Sequence, residues 1–370
     1  MRILILANND SGLYKFRKEL IEKLLEKNEV YISLPYGEYI DELVGLGCKY
    51  IETSFNRHGK NPLNELKLIK HYKRILKHIA PDVVLTYTIK PNIYGGIACA
   101  SKRIPYICNV TGLGGAIENG GILGFVALSL YRYGLRKAHT VFFQNSENMA
   151  VFKENKIAKN NCLLIPGSGV NLDKFSLLEY PNFSEVTRFL FVGRIMKDKG
   201  VDEILFAAQR IKEENIKAEV HIVGWNDGHY QDIIEKAVND GLIVYHGKQN
   251  QINQFLAQSH CIILPSYHEG MSNVLLEAAA SGRPVIATNV PGCKETFDEG
   301  ITGFGCSARD GADLFTAMKK FTLLSYEEKK QMGIRGRKKM ELEFDRNIIV
   351  KNYLNEISEI QEKEKENVTL

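Results

Sequence analysis

Cys261-Ile262-Ile263-Leu264-Pro265-Ser266-Tyr267-His268-Glu269-Gly270-Met271-Ser272-Asn273-Val274-Leu275-Leu276-Glu277 passes from an apolar run, through a turn-rich loop, into a helical pattern. The unbroken apolar run predicts a central strand of a parallel sheet, buried on both faces. A helix is predicted from about Met271 to Ser281. Strand, loop and helix in that order form the repeating unit of open α/β sheets, which bind ligands outside the carboxyl ends of their strands.

The alternation extends in both directions. In the first half, strands are predicted at 2–7, 29–34, 48–53, 82–88, 105–110, 140–145 and 162–166, with helices such as 13–27, 61–79 and 122–137 between them. In the second half, strands are predicted at 187–193, 218–224, 242–246, 260–264 and 284–288, followed by a charged helical stretch over 325–365. A chain of 370 residues exceeds one ordinary core. Two doubly wound parallel-sheet domains are therefore expected: 1–170, then a linker at 171–186 framed by Gly167-Ser168-Gly169 and Pro181-Asn182, then 187–345. The helix at about 346–365 is long enough to return to the first domain. Two such domains facing each other would enclose a cleft, a common ligand site.

Composition narrows the class. The seven cysteines are scattered with no C-x-x-C pair, which fits reduced core thiols and a cytoplasmic location. No apolar run reaches the length of a membrane span, and no signal peptide is expected. Residues 1–178 hold 24 basic and 15 acidic residues, a net +9, and residues 179–370 hold 24 and 29, a net −5. A basic first half suggests an anionic partner there: a membrane surface, a phosphate-bearing acceptor or nucleic acid. The apolar helix at 124–137, ending in Arg132, Arg136 and Lys137, and the basic stretch of Arg57, Lys60, Lys67, Lys70, Lys73, Arg74 and Lys77 fit anionic headgroups. A buried packing helix beside a solvated basic one explains them equally well. No aromatic-basic interleaving supports nucleic-acid binding.

Four loops after strands carry the candidate chemistry. Glu269 precedes the predicted helix and Glu277 lies within it, about two turns on. Gly270 permits a tight turn, and the amides of Met271, Ser272, Asn273 and Val274 would form a helix N-terminus able to hold phosphate while the carboxylates bind hydroxyls. A dipole-favoured Glu269 and a solvated Glu277 are the plain alternative. After the strand Phe189-Leu190-Phe191-Val192 comes Gly193-Arg194-Ile195-Met196-Lys197-Asp198-Lys199-Gly200, in which Arg194 offers a fork and Lys199 a point charge to phosphate oxygens. Gly12, after the first strand, lies where a diphosphate could approach, although a simple turn capped by Asp10 or Ser11 serves as well. Thr111-Gly112-Leu113-Gly114-Gly115-Ala116 suits a pocket floor or a plain turn. There is no G-x-G-x-x-G after the first strand, no D-x-D, no H-x-x-x-H and no G-x-S-x-G. Nicotinamide, zinc-protease and serine-hydrolase readings lose support accordingly, as does a metal held by paired carboxylates.

Together these residues resemble the retaining family-four glycosyltransferases of the GT-B fold. Gly193-Arg194…Lys199-Gly200 matches their paired cations, and Glu269…Glu277 followed by Gly282-Arg283-Pro284-Val285 matches their E-x7-E motif and next strand. Pro166-Gly167-Ser168-Gly169-Val170-Asn171…Phe175 resembles their interdomain signature. Ser11-Gly12-Leu13-Tyr14-Lys15-Phe16-Arg17, Thr88-Ile89-Lys90-Pro91-Asn92 and Asn109-Val110-Thr111-Gly112 are similar to bacterial members that extend capsule, exopolysaccharide or undecaprenyl-diphosphate-linked glycans, including N-acetylgalactosaminyltransferases.

The resemblance implies two Rossmann-like domains across a cleft and a UDP-sugar donor, with no further cofactor and no metal. It gives Arg194 and Lys199 the donor diphosphate and Glu277 the ribose hydroxyls. Glu269 would face the transferred sugar, and Gly12 and the amides of Gly270 to Val274 would hold the phosphates. Arg17, Lys90, Asn109, Thr111 and Gly112 fall on acceptor or sugar contacts. Where many members have a histidine after the fifth N-terminal strand, this chain has Thr111. The implied partners are a UDP-sugar, a lipid-linked glycan acceptor and an anionic membrane surface, at the inner face of the plasma membrane. A GT-B epimerase or hydrolase of nucleotide sugars, or a non-catalytic binding subunit, would share many of these features.

Overall fold

A computed structural model describes residues 1–53, 62–114, 117, 120–158, 161–226 and 228–369. Arg57, Lys60, Gly115 and Ala116 lie outside the described residues. The chain divides into two units, Met1–Ser168 with Asn347–Leu370, and Gly169–Arg346.

The first unit is built on seven strands: β1 (Arg2–Leu6), β2 (Glu29–Leu34), β3 (Lys49–Glu52), β4 (Val83–Tyr87), β5 (Tyr106–Val110), β6 (Thr140–Phe143) and β7 (Cys162–Leu164). Their order is β3-β2-β1-β4-β5-β6-β7, with every pairing parallel. Every residue of Val83–Tyr87 and Tyr106–Val110 is buried, as continuous apolar runs demand. Helices cover both faces. Asp10–Leu25 packs on one face with Ile349, Tyr353 and Ile357 of the last helix, Arg346–Thr369. Pro62–Ile79 and Gly121–Leu135 cover the other.

The second unit has six strands: β8 (Thr187–Val192), β9 (Ala218–Val223), β10 (Val244–Tyr245), β11 (Cys261–Leu264), β12 (Val285–Thr288) and β13 (Gly303–Cys306). Their order is β10-β9-β8-β11-β12-β13, again all parallel. Both sheets are thus the doubly wound type expected. In each, chain order reverses about one junction, β1/β4 and β8/β11, and such a junction leaves a crevice at the carboxyl ends of its strands.

Three details go beyond the sequence reading. Gly303-Phe304-Gly305-Cys306, which no predicted strand covered, forms an edge strand. Its glycines answer to close approach, since a Cβ on Gly303 would lie 2.3 Å from the Val285 carbonyl oxygen. The helical stretch 325–365 contains Tyr326–Glu343 and, as a separate last helix close to the 346–365 expected, Arg346–Thr369. Between them the backbone pairs with Val170, whose amide donates to the Phe344 carbonyl at 2.8 Å and whose carbonyl accepts from Arg346 N at 3.0 Å. Residues 171–186 belong to the second unit. Arg283, fully buried, explains this: its guanidinium donates to the carbonyls of Glu179 at 2.6 Å, Leu178 at 3.4 Å and Leu256 at 2.7 Å, and faces the Tyr180 ring.

Candidate active site

The loops after β8, β11 and β12 carry the residues singled out in the second unit. β8 continues briefly past its end, as the amide of Gly193 donates to the Val223 carbonyl at 3.0 Å and that of Ile195 to Trp225 at the same distance. This anchors the backbone around Arg194, whose side chain is exposed and has no hydrogen-bond or ion-pair partner among the described residues. A single 3-10 turn, Lys197–Lys199, then leads to Gly200 in the left-handed region (φ 73°) and into the helix Val201–Glu213. A side chain at Gly200 is excluded twice, by φ and by the Pro265 carbonyl oxygen 2.2 Å from any Cβ.

After β11 the helix begins at Asn273, two residues later than expected, and runs to Ala280. Ser272 is its N-cap, its hydroxyl accepting from the amide of Leu275 at 3.4 Å, while its own amide donates to the Gly292 carbonyl at 2.8 Å. The expected row of open amides therefore loses Ser272. Met271 is buried, and Asn273 and Val274 form the first turn. The side-chain oxygen of Asn273 is buried with no partner among the described residues. Glu277 lies half-buried within the helix.

The structure brings Lys199 and Glu269 together. The Lys199 ammonium donates to Glu269 Oε1, which also accepts from Ser266 Oγ at 3.0 Å, and the two side chains are 20% and 16% exposed. Three contacts lace the surrounding loops. The amide of Tyr267 donates to the Asp198 carbonyl at 2.9 Å, and Thr288 Oγ1 donates to the Ser266 carbonyl at 2.6 Å. Gly292 (φ 79°) sits where a Cβ would meet the carbonyl oxygens of Glu269 and Gly270 at 2.6 and 2.7 Å.

Sequence reasoning passed over Tyr267, Glu203, Gly292 and Cys293. The Tyr267 hydroxyl donates to Glu203 Oε1 at 2.8 Å, and the Arg309 guanidinium lies 4.9 Å from its ring. Burial, then Glu203, pushes the Tyr267 hydroxyl up, so it stays a donor. Glu203 is buried, and its Oε2 has no partner among the described residues. Burial and Glu269 likewise hold Cys293 as a thiol. A tyrosine between a strand and Glu269 was the available signal; its partner Glu203 lies 64 residues away in sequence.

In the first unit the chosen residues are spread over several environments. Asn9, rather than Asp10 or Ser11, caps the first helix, and the Gly12 amide donates to its Oδ1 at 2.5 Å. Arg17 is buried, its guanidinium 5.1 Å from the Tyr87 ring and donating to the Phe16 carbonyl at 2.9 Å. Lys90 pairs with Glu65 at 2.6 Å. Asn109 is buried, its amide donating to the Tyr353 hydroxyl at 2.8 Å. Thr111 and Gly112 are half-buried after β5. Thr88, after β4, has φ 72° and a buried hydroxyl without a partner among the described residues. A β-branched residue in that region is a genuine outlier.

Residues 2–145 match the family described as "Glycosyl transferase 4-like", and residues 186–322 match "Glycosyl transferases group 1". The chain is a glycosyltransferase, with a 4-like domain in its first half and a group 1 domain in its second. This glycosyltransferase is 29% identical over 372 residues to the N,N'-diacetylbacillosaminyl-diphospho-undecaprenol alpha-1,3-N-acetylgalactosaminyltransferase of Campylobacter jejuni, covering 96% of this chain and 97% of that one. It is 26% identical over 309 residues to the capsular polysaccharide biosynthesis glycosyltransferase CapM of Staphylococcus aureus, covering 77% and 80%. Among solved structures it resembles a glycosyltransferase of Rickettsia africae (TM-score 0.79, 21% identity, 97% and 98% covered). It also resembles HepE of Anabaena in complex with UDP (TM-score 0.80, 16% identity, 97% and 100% covered). These likenesses establish the GT-B fold.

In this glycosyltransferase the paired loops place a cation and a carboxylate side by side, with a second cation, unpartnered among the described residues, on the β8 loop. Fixed charges of this kind, partly shielded from water, stabilise developing charge without reorganising.

Proposed function

We propose that this chain transfers a sugar, an N-acetylhexosamine or hexose, from a UDP-sugar to an undecaprenyl-diphosphate-linked glycan, with retention at the anomeric carbon and without a metal. The observation that carries the reading is the half-buried Lys199–Glu269 pair at the carboxyl end of the β8/β11 junction. As the bond from the sugar to the diphosphate breaks, negative charge grows on the departing UDP and positive charge on the sugar ring. Arg194 and Lys199 are the residues for the first and Glu269 for the second. Glu277 takes the ribose hydroxyls, and the amides of the first turn at Asn273 and Val274 take phosphate oxygens. In this account the diphosphate competes with Glu269 for the Lys199 ammonium. The acceptor and its contacts belong to the first unit, where Arg17, Lys90, Asn109, Thr111 and Gly112 are the candidates.

Membrane approach is part of the proposal. Ile122, Leu123 and Phe125 begin the Gly121–Leu135 helix and are 83%, 55% and 70% exposed, an apolar tip with Arg132, Arg136 and Lys137 at the helix's far end. No helix among the described residues is long and apolar enough to cross a membrane. An exposed apolar tip on a helix that ends in basic residues suits an anionic bilayer surface.

One assay tests these points together. A panel of UDP-sugars is incubated with a short undecaprenyl-diphosphate glycan in anionic or neutral vesicles, with and without EDTA, and products are read by mass spectrometry and by the anomeric coupling in NMR. The expected product gains one sugar with the donor's anomeric configuration, forms faster on anionic vesicles and is insensitive to EDTA. Hydrolysis or epimerisation of the UDP-sugar with no acceptor product would favour the nucleotide-sugar hydrolase or epimerase reading instead.

A further inference from the structure

The opposite, amino ends of β8 and β11 border a cavity of about 460 Å³. Phe183, Thr187, His260, Leu324, Tyr326 and Lys329 contribute to its wall. Lys329, in the Tyr326–Glu343 helix, is 9% exposed. Its ammonium donates to Thr187 Oγ1 at 3.3 Å and to the Thr322 carbonyl at 3.1 Å, both neutral acceptors. An ammonium has three donors, and beyond these two acceptors it meets only the face of the Phe321 ring, 5.4 Å away, so one donor has no oxygen acceptor among the described residues. Among the described residues no carboxylate pairs with it. The two acids on the cavity wall, Glu185 and Glu214, are each held by another lysine, Lys217 and Lys319.

A buried charge is costly unless it is paired. The Thr322 carbonyl belongs to the last turn of the Gly311–Thr322 helix, whose dipole offsets only part of the charge. Burial draws the Lys329 ammonium toward its neutral form. His260 adds no positive charge: burial, then Lys329, lowers it to about 4, and its Nδ1 accepts from the amide of Arg188 at 3.0 Å. The cavity therefore holds one positive charge without a counter-ion, beside apolar walls.

We propose that this cavity binds a small monoanionic carboxylate bearing an apolar or aromatic group. The carboxylate takes the free donor of Lys329, and the apolar part lies against Phe183, Leu324 and Tyr326. One unpaired cation matches a single negative charge, since Glu185 and Glu214 are neutralised by Lys217 and Lys319 on the same wall. The site lies at the other end of the strands from Lys199 and Glu269 and is independent of the donor-site reading. Its occupancy stabilises the folded chain by mass action.

The probe is benzoate, with inorganic phosphate as a second arm, followed by thermal shift and calorimetry on the full chain. Benzoate raises Tm in a concentration-dependent manner, phosphate at the same concentration does not, and UDP leaves the benzoate affinity unchanged. Lys329→Met, which keeps the stem and removes the charge, weakens benzoate at least tenfold. Phe183→Asp alters a residue that is 76% exposed, leaves the core intact and weakens benzoate severalfold by repulsion. Equal binding of phosphate, no binding of benzoate, or unchanged benzoate affinity in either variant overturns the proposal.

Discussion

Lys199 and Glu269 hold each other, and this coupling separates their roles. Lys199→Ala removes a cation that a diphosphate needs and leaves Glu269 to repel it, so UDP affinity falls along with turnover. Glu269→Gln releases Lys199 from its internal partner, so UDP binds at least as tightly while kcat falls, by about 10²–10³ if Glu269 faces developing charge. Calorimetry with UDP beside steady-state kinetics distinguishes the two. Parallel losses of UDP affinity in both variants would contradict the assignment. The sequence could point to both residues because each follows a buried strand. It could not show the ion pair, which depends on Gly200 nesting against Pro265 and Tyr267 bonding to Asp198.

At the scale of elements, the strands were legible where apolar runs are continuous, as in Val83–Tyr87 and Cys261–Leu264. They were not legible where backbone crowding selects glycine, as in Gly303–Cys306, because a glycine-rich edge strand resembles a turn. The start of the Asn273–Ala280 helix was misplaced for a related reason: Ser272 bonds across to Gly292, a tertiary contact with no trace in local pattern. The Lys197–Gly200 turn is the element on which the site's geometry turns. Gly200→Ala forces a side chain into the left-handed region and against the Pro265 carbonyl, and should lower stability by about 2 kcal/mol or more in chemical denaturation. A loss well under ~1 kcal/mol would mean that the turn relaxes freely.

At the scale of the whole molecule, the basic and acidic halves visible in the sequence fall largely into separate units, while the return of the chain at Asn347 and the incorporation of 171–186 into the second unit depend on Tyr353 and Arg283 finding buried partners. The second unit also carries a pH signature. His260 is lowered from 6.5 to about 4, chiefly by burial and then by Lys329, Arg188 and Arg283. The folded state therefore takes up this proton less readily than the unfolded chain. Its contribution to stability is intact above pH 6.5 and is lost as pH falls toward 4, on the order of 3 kcal/mol across that window. Unfolding measured from pH 7 to 4.5 should show this loss, reduced in His260→Gln; an unchanged slope in the variant would place the proton elsewhere. The central claim is that the second unit binds and activates a nucleotide-sugar donor through the β8 and β11 loops. Its most direct test is the rate of sugar transfer by Arg194→Ala and Glu277→Ala, each with its unfolding curve. The account predicts that transfer is abolished in both while the unfolding midpoints stay near wild type; full transfer by either variant would contradict it.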